Sequence, residues 1–187
     1  MSEKKNGKLI IISGPSGIGK TTISDHLTKD PQFVQSVSAT TRSPRSDEKQ
    51  GIDYFFVTKD EFRDLIDHKK LVEFAEYNNC FYGTPIEPLK DALGKGINVL
   101  LVIEVKGALQ IMKRFNDCIS FFILPPNMET LKERLSFRNK NTTEEIVERI
   151  GIASKEIEMK VNYQHCIVND VLESAVLQIK EIINKSS

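Results

Sequence analysis

The segment that most constrains the fold is a short apolar run followed at once by a glycine-rich loop. Residues 8–13 read KLIIIS, a β-branched and apolar run that is typical of a buried strand. The next residues read GPSGIGKT, and a helical pattern then extends over residues 21–28. A strand, a tight loop and a helix in this order predict the first unit of an α/β fold.

The loop itself fits the pattern G-x-x-x-x-G-K-[ST], in the strand-to-helix position that a phosphate-binding loop requires. Glycines let successive backbone N–H groups point at phosphate oxygens, and the helix N-terminus adds its positive end. We expect Lys20 to reach the β- and γ-phosphates of a nucleotide and the Thr21 hydroxyl to bind Mg²⁺. The predicted triphosphate-binding residues are Gly14, Pro15, Ser16, Gly17, Ile18, Gly19, Lys20, Thr21 and Thr22.

The rest of the chain alternates between apolar runs and helical patterns. The runs VLLVI at 99–103 and FFIL at 121–124 are too short to cross a bilayer and suit buried strands. Residues 34–58 are rich in Val, Thr, Tyr and Phe and predict short strands of a small sheet. Helices are predicted at residues 59–69, 85–93, 107–114, 127–138, 142–160 and 172–184. Buried strands that alternate with helices favour a largely parallel sheet.

Composition excludes several classes of function. The 26 basic and 26 acidic residues balance, so no net charge draws the protein to nucleic acid or to a membrane surface. The N-terminus is polar, without the apolar run of a signal peptide. The cysteines Cys80, Cys118 and Cys166 show no metal-binding spacing, and their odd number argues against a complete disulfide framework. We expect reduced thiols, mostly packed, in a cytoplasmic protein.

A second anion-binding segment is indicated by residues 40–45, which read TTRSPR. Arg42 and Arg45 lie three residues apart, in a stretch with few carboxylates, and the proline disfavours a helix there. Two unpaired guanidiniums repel each other, whereas a phosphate monoester would pair with both. Two solvated surface arginines remain the alternative at this point. Beside a nucleotide-phosphate loop, the pair suggests phosphoryl transfer between two phosphate-bearing molecules.

With both segments in view, the chain resembles the guanylate kinase family. The resemblance extends over residues 7–184, and the order and spacing of the matching segments agree as well as their residues. The segments read SGPSGIGKTT, SVSATTRSPR, GIDYFFV, LVEFAEY, FYGTP, EVKGA, FFILPP, RLSFR, ERI and IVND. Apart from the phosphate loop each is a weak signal, but together they are highly specific.

The resemblance implies a P-loop NTPase α/β fold, with a mainly parallel central sheet flanked by helices, a small mixed α/β lobe that binds GMP, and a helical lid. The implied single domain spans residues 7–186, with its core at 7–34, 86–130 and 155–186, the lobe at 35–85 and the lid at 131–154. The implied reaction moves the γ-phosphoryl group of ATP to GMP, or to dGMP, with Mg²⁺. Its products are ADP and GDP, and it serves purine nucleotide recycling and GTP supply. Neither nucleic acid nor membrane is an expected partner, and the expected state is a monomer or weak homodimer.

The resemblance also assigns roles by position. Arg42 and Arg45, with the hydroxyls of Tyr54 and Tyr82, would bind the GMP phosphate, and Asn169 would lie near the adenosine of ATP. The full implied GMP set is Ser38, Arg42, Arg45, Tyr54, Glu73, Tyr82, Thr84 and Glu104. The implied catalytic set, which neutralises charge on the transferring group, is Lys20, Arg42, Arg134, Arg138 and Arg149. Thr21 is the implied metal-binding residue.

Elementary hydrogen-bond chemistry agrees with the implied base-reading residues. Guanine carries donors at N1 and N2 and an acceptor at O6, and an ionised carboxylate only accepts. Glu73 and Glu104 therefore suit the donor edge, and the hydroxyls of Ser38 and Thr84 suit O6. Adenine presents a lone pair at N1, which would face a carboxylate unfavourably.

One departure from the family pattern bears on the metal. Val102 stands where many members carry an acidic residue, so we expect weaker Mg²⁺ binding or slower turnover. Two other functions remain as alternatives: a guanylate-kinase-like module that binds phosphorylated partners without catalysis, and a related kinase for another small phosphate. The intact Gly19, Lys20 and Thr21 argue against the first, and the guanine-reading residues argue against the second.

Overall fold

The computed structural model describes residues 6–77, 79–138 and 143–186, with the side chains of residues 137, 138 and 143 outside that description. The strands are β1 (Leu9–Ser13), β2 (Phe33–Gln35), β3 (Ser38–Thr40), β4 (Tyr54–Phe56), β5 (Leu71–Tyr77), β6 (Cys80–Pro85), β7 (Asn98–Val102), β8 (Ile119–Leu124) and β9 (His165–Val168). The helices are α1 (Lys20–Leu27), α2 (Lys59–Asp67), α3 (Ile86–Gly94), α4 (Val105–Arg114), α5 (Met128–Arg138), α6 (Thr143–Glu158) and α7 (Leu172–Lys185). A short 3₁₀ helix occupies Met159–Asn162.

The main sheet has the strand order β2-β7-β1-β8-β9, and its strand pairs are parallel. Central strand β1 is buried along its whole length, and Ile10 pairs with Leu100 on one side and Ile119 on the other. A hydrophobic cluster covers each face of this sheet, as expected for a parallel sheet between helices. The loop after β1 therefore emerges at the carboxyl edge between β7 and β8, where α/β proteins bind ligands.

The small sheet has the strand order β4-β3-β6-β5, in which β6 runs antiparallel to both of its neighbours. Helix α2 covers it. Thr58 caps that helix, and the side chains and backbones of Thr58 and Glu61 exchange hydrogen bonds in a capping box. Phe62 of α2 is 1% exposed and stacks on Phe81 with ring centroids 5.6 Å apart. This sheet thus has its own small core, separate from the main one.

The predicted helices are confirmed to within a few residues at their ends, and the parallel central sheet is confirmed. Residue 142, the predicted start of the helix over 142–160, lies outside the described residues. Residues 34 and 35 were predicted within the small sheet, but as part of β2 they pair with β7 in the main sheet. Strands β5, β6 and β9 were not predicted as strands. The three cysteines are free, with Cys118 buried as expected and Cys166 exposed.

Among the described residues, no helix combines the length and the apolar character that crossing a bilayer demands.

Replacing Phe62 by alanine is expected to destabilise the small sheet, because the ring fills the centre of its core. Loss of a buried phenylalanine costs about 3–5 kcal/mol. Hydrogen exchange should show reduced protection of the amides of β3, β5 and β6, while β1 and β8 keep theirs. The milder Phe62→Leu variant is the control. Equal loss of protection in both sheets would show that the small sheet has no separate core.

Candidate functional site

The phosphate loop connects β1 to α1 and packs too closely against its neighbours to carry side chains at its glycines. Gly14 has φ +141°, and a Cβ there would lie 2.5 Å from the carbonyl oxygen of Ile123 on β8. Gly19 has φ +96°, and a Cβ there would lie 2.6 Å from Nδ2 of Asn169. Both glycines are thus required by backbone conformation and by close approach. The predicted loop is confirmed as a strand-to-helix turn of this kind.

Lys20 begins helix α1 and turns back over the loop. Its ammonium donates to the carbonyl oxygens of Gly14 and Pro15, and it lies 3.5 Å from a carboxylate oxygen of Glu104. The Lys20 side chain is 10% exposed and that of Glu104 is 42% exposed. Since Glu104 directly precedes α4, the ion pair joins the phosphate loop to the carboxyl end of β7.

Two predicted residues from the C-terminal half contact the phosphate loop, and a third contacts one of these two. Asn169 donates from Nδ2 to the carbonyl of Ile18 at 2.8 Å. Arg134 donates from Nη2 to the carbonyl of Asn169 at 3.0 Å, and its Nη1 is buried without a hydrogen-bond partner among the described residues. Arg149 of α6 donates from Nη2 to Oγ of Ser16 at 2.8 Å. Helices α5 and α6 thus place two of the predicted arginines beside the loop.

The remaining predicted residues of this group are less constrained. The side chain of Arg138, at the end of α5, lies outside the described residues. Thr21 and Thr22 are exposed in the first turn of α1, next to Lys20. The exposed Thr21 hydroxyl is an oxygen ligand of the kind that Mg²⁺ prefers.

The arginine pair follows β3, and the structure adds a carboxylate that the sequence argument missed. Arg42 donates from Nη2 to Oε1 of Glu48 at 2.8 Å and from Nη1 to the carbonyl of Ser43 at 2.7 Å. Glu48 also accepts from the backbone N–H of Arg45 at 2.8 Å. The hydrogen bond from Arg42 lowers the pKa of Glu48, and the same bond raises the pKa of Arg42. The two guanidiniums are therefore not unpaired, although the Arg45 side chain is 70% exposed.

Aromatic rings form the wall beside Arg42. Its guanidinium carbon lies 5.4 Å from the ring centre of Tyr54 and 5.8 Å from that of Phe56. Tyr54 meets Tyr82 edge to face, with ring centroids 6.1 Å apart, and burial raises the pKa of Tyr54. Ser38 lies opposite Tyr54 in the register of β3 and β4. The structure thus brings these predicted residues together on one side of the small sheet.

Glu73 and Thr84 form a buried pair between β5 and β6. Thr84 donates from Oγ1 to Oε1 of Glu73 at 2.7 Å. Glu73 is 6% exposed, and burial raises its pKa against the opposing effect of that hydrogen bond. A hydroxyl has one proton to donate, so in this structure Thr84 orients the carboxylate and does not offer its proton to a ligand.

Glu156 was not among the site residues predicted from the sequence. Burial and the nearby Glu104 raise the pKa of Glu156 to about 7, and Lys20 opposes that rise. Glu156 lines a small gap together with Ser16, Tyr77, Arg149 and Ile152. A usable signal existed, since Glu156 follows Arg149 by seven residues and so lies on the same face of α6.

Comparison with known sequences gives one consistent result. A family profile described as guanylate kinase matches residues 6–186. A guanylate kinase of Listeria innocua is 42% identical over 181 residues, covering 96% of this chain and 88% of that protein. One of Halalkalibacterium halodurans is 41% identical over 182 residues, covering 97% and 89%.

Comparison with solved structures gives the same family as the sequence comparison. The crystal structure of guanylate kinase from Anaplasma phagocytophilum matches with a TM-score of 0.81 and 34% identity, covering 97% of this chain and 87% of that one. Shikimate kinase from Bacteroides thetaiotaomicron, at 15% identity and a TM-score of 0.52, shares the fold alone. These matches confirm the P-loop NTPase architecture expected from the resemblance. Because sequence, fold and profile agree over nearly the whole chain, the protein belongs to the guanylate kinase family.

Proposed function

We propose that this ATP:GMP phosphotransferase holds its two nucleotides in two clusters that meet at Lys20. The observation that carries the proposal is the position of the Lys20 ammonium, between the phosphate-loop carbonyls and Glu104. The ATP cluster consists of Gly14, Pro15, Ser16, Gly17, Ile18, Gly19, Lys20, Thr21, Thr22 and Asn169. The GMP cluster consists of Ser38, Arg42, Arg45, Tyr54, Glu73, Tyr82, Thr84 and Glu104.

Guanine selectivity would come from Glu73 and Glu104. An ionised carboxylate accepts hydrogen bonds from N1–H and N2–H of guanine, whereas adenine offers a lone pair at N1. A site built on such hydrogen bonds rejects a base that lacks the donors by large factors. Recognition of the base edge is indifferent to the ribose 2′-hydroxyl, so dGMP should also be a substrate. No finding favours a non-catalytic binding module or a kinase for another small phosphate.

Alignment and electrostatics would carry the reaction. The GMP phosphate oxygen is already a nucleophile, so no general base is needed. Lys20 and Arg42, with Arg134, Arg138 and Arg149, would neutralise charge that develops on the transferring phosphoryl oxygens. Arg149 already lies against Ser16, which supports a lid role for α6. A closed lid would exclude the water that otherwise accepts the phosphoryl group.

The two nucleotide clusters also suggest how the chain divides into a core, a GMP-binding lobe and a lid. We assign the GMP-binding lobe to residues 35–85, the lid to residues 131–154 and the core to the remainder of residues 7–186. The small sheet and its separate core support the first of these boundaries.

Magnesium fits the residues at the start of α1. The exposed Thr21 hydroxyl would bind the ion, and the carboxylate of Glu104 lies 3.5 Å from the Lys20 ammonium. When bound, Mg²⁺ would neutralise charge on the phosphate groups. Val102, at the end of β7, packs against the main core and supplies no oxygen ligand.

Lys20→Ala should reduce turnover by about 10²–10³-fold, because it removes a charge aimed at the transferring group. GMP binding, measured by calorimetry, should remain within about twofold of the parent, since no GMP residue is replaced and the Glu104 carboxylate, which is 42% exposed, can be solvated by water in place of the ammonium. Lys29→Ala, an exposed lysine beyond the end of α1, is the control. Loss of GMP binding at an unchanged melting temperature would contradict the two-cluster arrangement.

Val102→Asp should lower the Mg²⁺ concentration needed for half-maximal activity by about fivefold, the equivalent of ~1 kcal/mol of added attraction. The Val102→Asn variant matches the size and polarity of the change without its charge. An Mg²⁺ titration of activity measures the effect in both. An unchanged requirement in Val102→Asp, or an equal change in Val102→Asn, would remove the idea that this position tunes metal affinity.

Glu156→Gln should flatten the pH dependence of stability. The pKa of Glu156 is raised from 4.5 to about 7, so the folded state binds this proton more tightly than the unfolded state does. The resulting stabilisation is fully present below pH 4.5 and is lost as the pH rises through about 7. The parent's melting temperature should therefore fall more than the variant's between about pH 4.5 and pH 7. The exposed Glu158, two residues further along α6, gives the control Glu158→Gln. Parallel profiles in all three proteins would contradict the raised pKa.

A further inference from the structure

Strand β5 is irregular at the position of Glu73. Its pairing with β6 shifts register between Leu71 and Phe74, so the strand carries an extra residue there. Such a bulge turns a side chain away from the regular alternation of a strand. β5 is also the edge strand of the small sheet, so the backbone around Glu73 has a sheet partner on one side only.

Helix α4 of the core covers this open edge with one face. Gln110 donates from Nε2 to the carbonyl oxygen of Phe74 at 3.0 Å, and Arg114 donates from Nη1 to that of Val72 at 2.9 Å. The two acceptors flank Glu73 in the sequence. The helix thus supplies, from side chains, hydrogen bonds that an adjacent strand would otherwise give.

Gly107, on the same face of α4, lies against the carboxylate itself. A Cβ at Gly107 would stand 2.7 Å from Oε2 and 3.3 Å from Cδ of Glu73. Oε1, the other oxygen, accepts from Thr84 on the opposite side. The carboxylate is therefore confined between a hydroxyl donor and a bare helix backbone, near the N-terminal end of α4, which favours negative charge.

We propose that the face of α4 formed by Gly107, Gln110 and Arg114 positions the Glu73 carboxylate and thereby sets guanine selectivity. These three are positioning residues, since they act through Glu73. The proposal that these residues set guanine selectivity rests on the proposed function, in which Glu73 reads the base. The proposal that they position the carboxylate rests only on the contacts described above.

Gly107→Ala separates this role from a merely structural one. Alanine is the better helix former by about 1 kcal/mol, so the substitution should not weaken α4. The new methyl group would instead displace the end of the Glu73 side chain. Gly94→Ala is the matched control, because Gly94 ends helix α3 and a Cβ there meets nothing within 4 Å.

The first measurement tests positioning without any nucleotide. Carbon-13 NMR titration of the Glu73 carboxyl should find the pKa raised in the parent and in Gly94→Ala, and lowered toward its ordinary value in Gly107→Ala as the group moves toward solvent. An unchanged Glu73 pKa in Gly107→Ala, or the same change in Gly94→Ala, overturns the proposal.

The second measurement compares kcat/KM for GMP with that for IMP, which lacks the 2-amino group. Gly107→Ala should reduce the preference for GMP about tenfold, the value of one misaligned hydrogen bond, with KM for ATP unchanged. Arg114→Met, which keeps the aliphatic stem but removes the donor, should act in the same direction, and Arg114→Lys should restore part of the preference. If both variants retain the parent's preference while Glu73→Gln loses it, the selectivity claim is overturned.

The Glu73→Gln variant distinguishes a failure of the proposed base-reading role from a failure of the proposed positioning. If it leaves the preference for GMP over IMP intact, the proposed role of Glu73 in base reading is wrong. The positioning of its carboxylate is then still decided by the NMR titration alone.

Discussion

The close packing of the phosphate loop against its neighbours is the constraint on which the rest of the site depends. A Cβ at Gly14 would collide with the backbone of β8 and a Cβ at Gly19 with the side chain of Asn169, and both glycines have positive φ, so a larger residue would be strained at either position. Because β1 is fully buried between β7 and β8, the loop has one place to emerge. Three of the proposed site residues lie around that place: Arg149 on α6, Glu104 before α4 and Asn169 after β9.

A second feature is the local balancing of charge. Lys20 lies against Glu104, and Arg42 lies against Glu48, so two of the cations proposed to bind phosphate have a carboxylate within ion-pair distance. Neither of these two cations is unpaired in the structure. A bound phosphate would compete with these carboxylates, and its two or more negative charges give it the advantage over a single carboxylate.

Buried carboxylates mark the places where the core, the small sheet and helix α6 meet. Glu73 lies between β6 and α4, and the half-buried Glu156 lines a small gap with Ser16 of the phosphate loop. Both have a raised pKa because burial disfavours their charged forms. Burying a carboxylate costs free energy, which supports the ligand-binding role proposed for Glu73.

The sequence by itself determined the α/β class, the helices and the phosphate loop, because short-range hydrophobic periodicity and glycine spacing encode them directly. It also predicted that Arg42 and Arg45 bind an anion, which stays a prediction, but it did not reveal Glu48, since a carboxylate several residues away in a turn gives no periodic signal. Strands β5, β6 and β9, the pairing of residues 34 and 35 with the main sheet, and the contact of Gly107 with Glu73 were decided only in the tertiary structure. These features depend on pairing and packing between residues far apart in the chain. The energy of such contacts depends on both partners, so neither partner's local sequence predicts it.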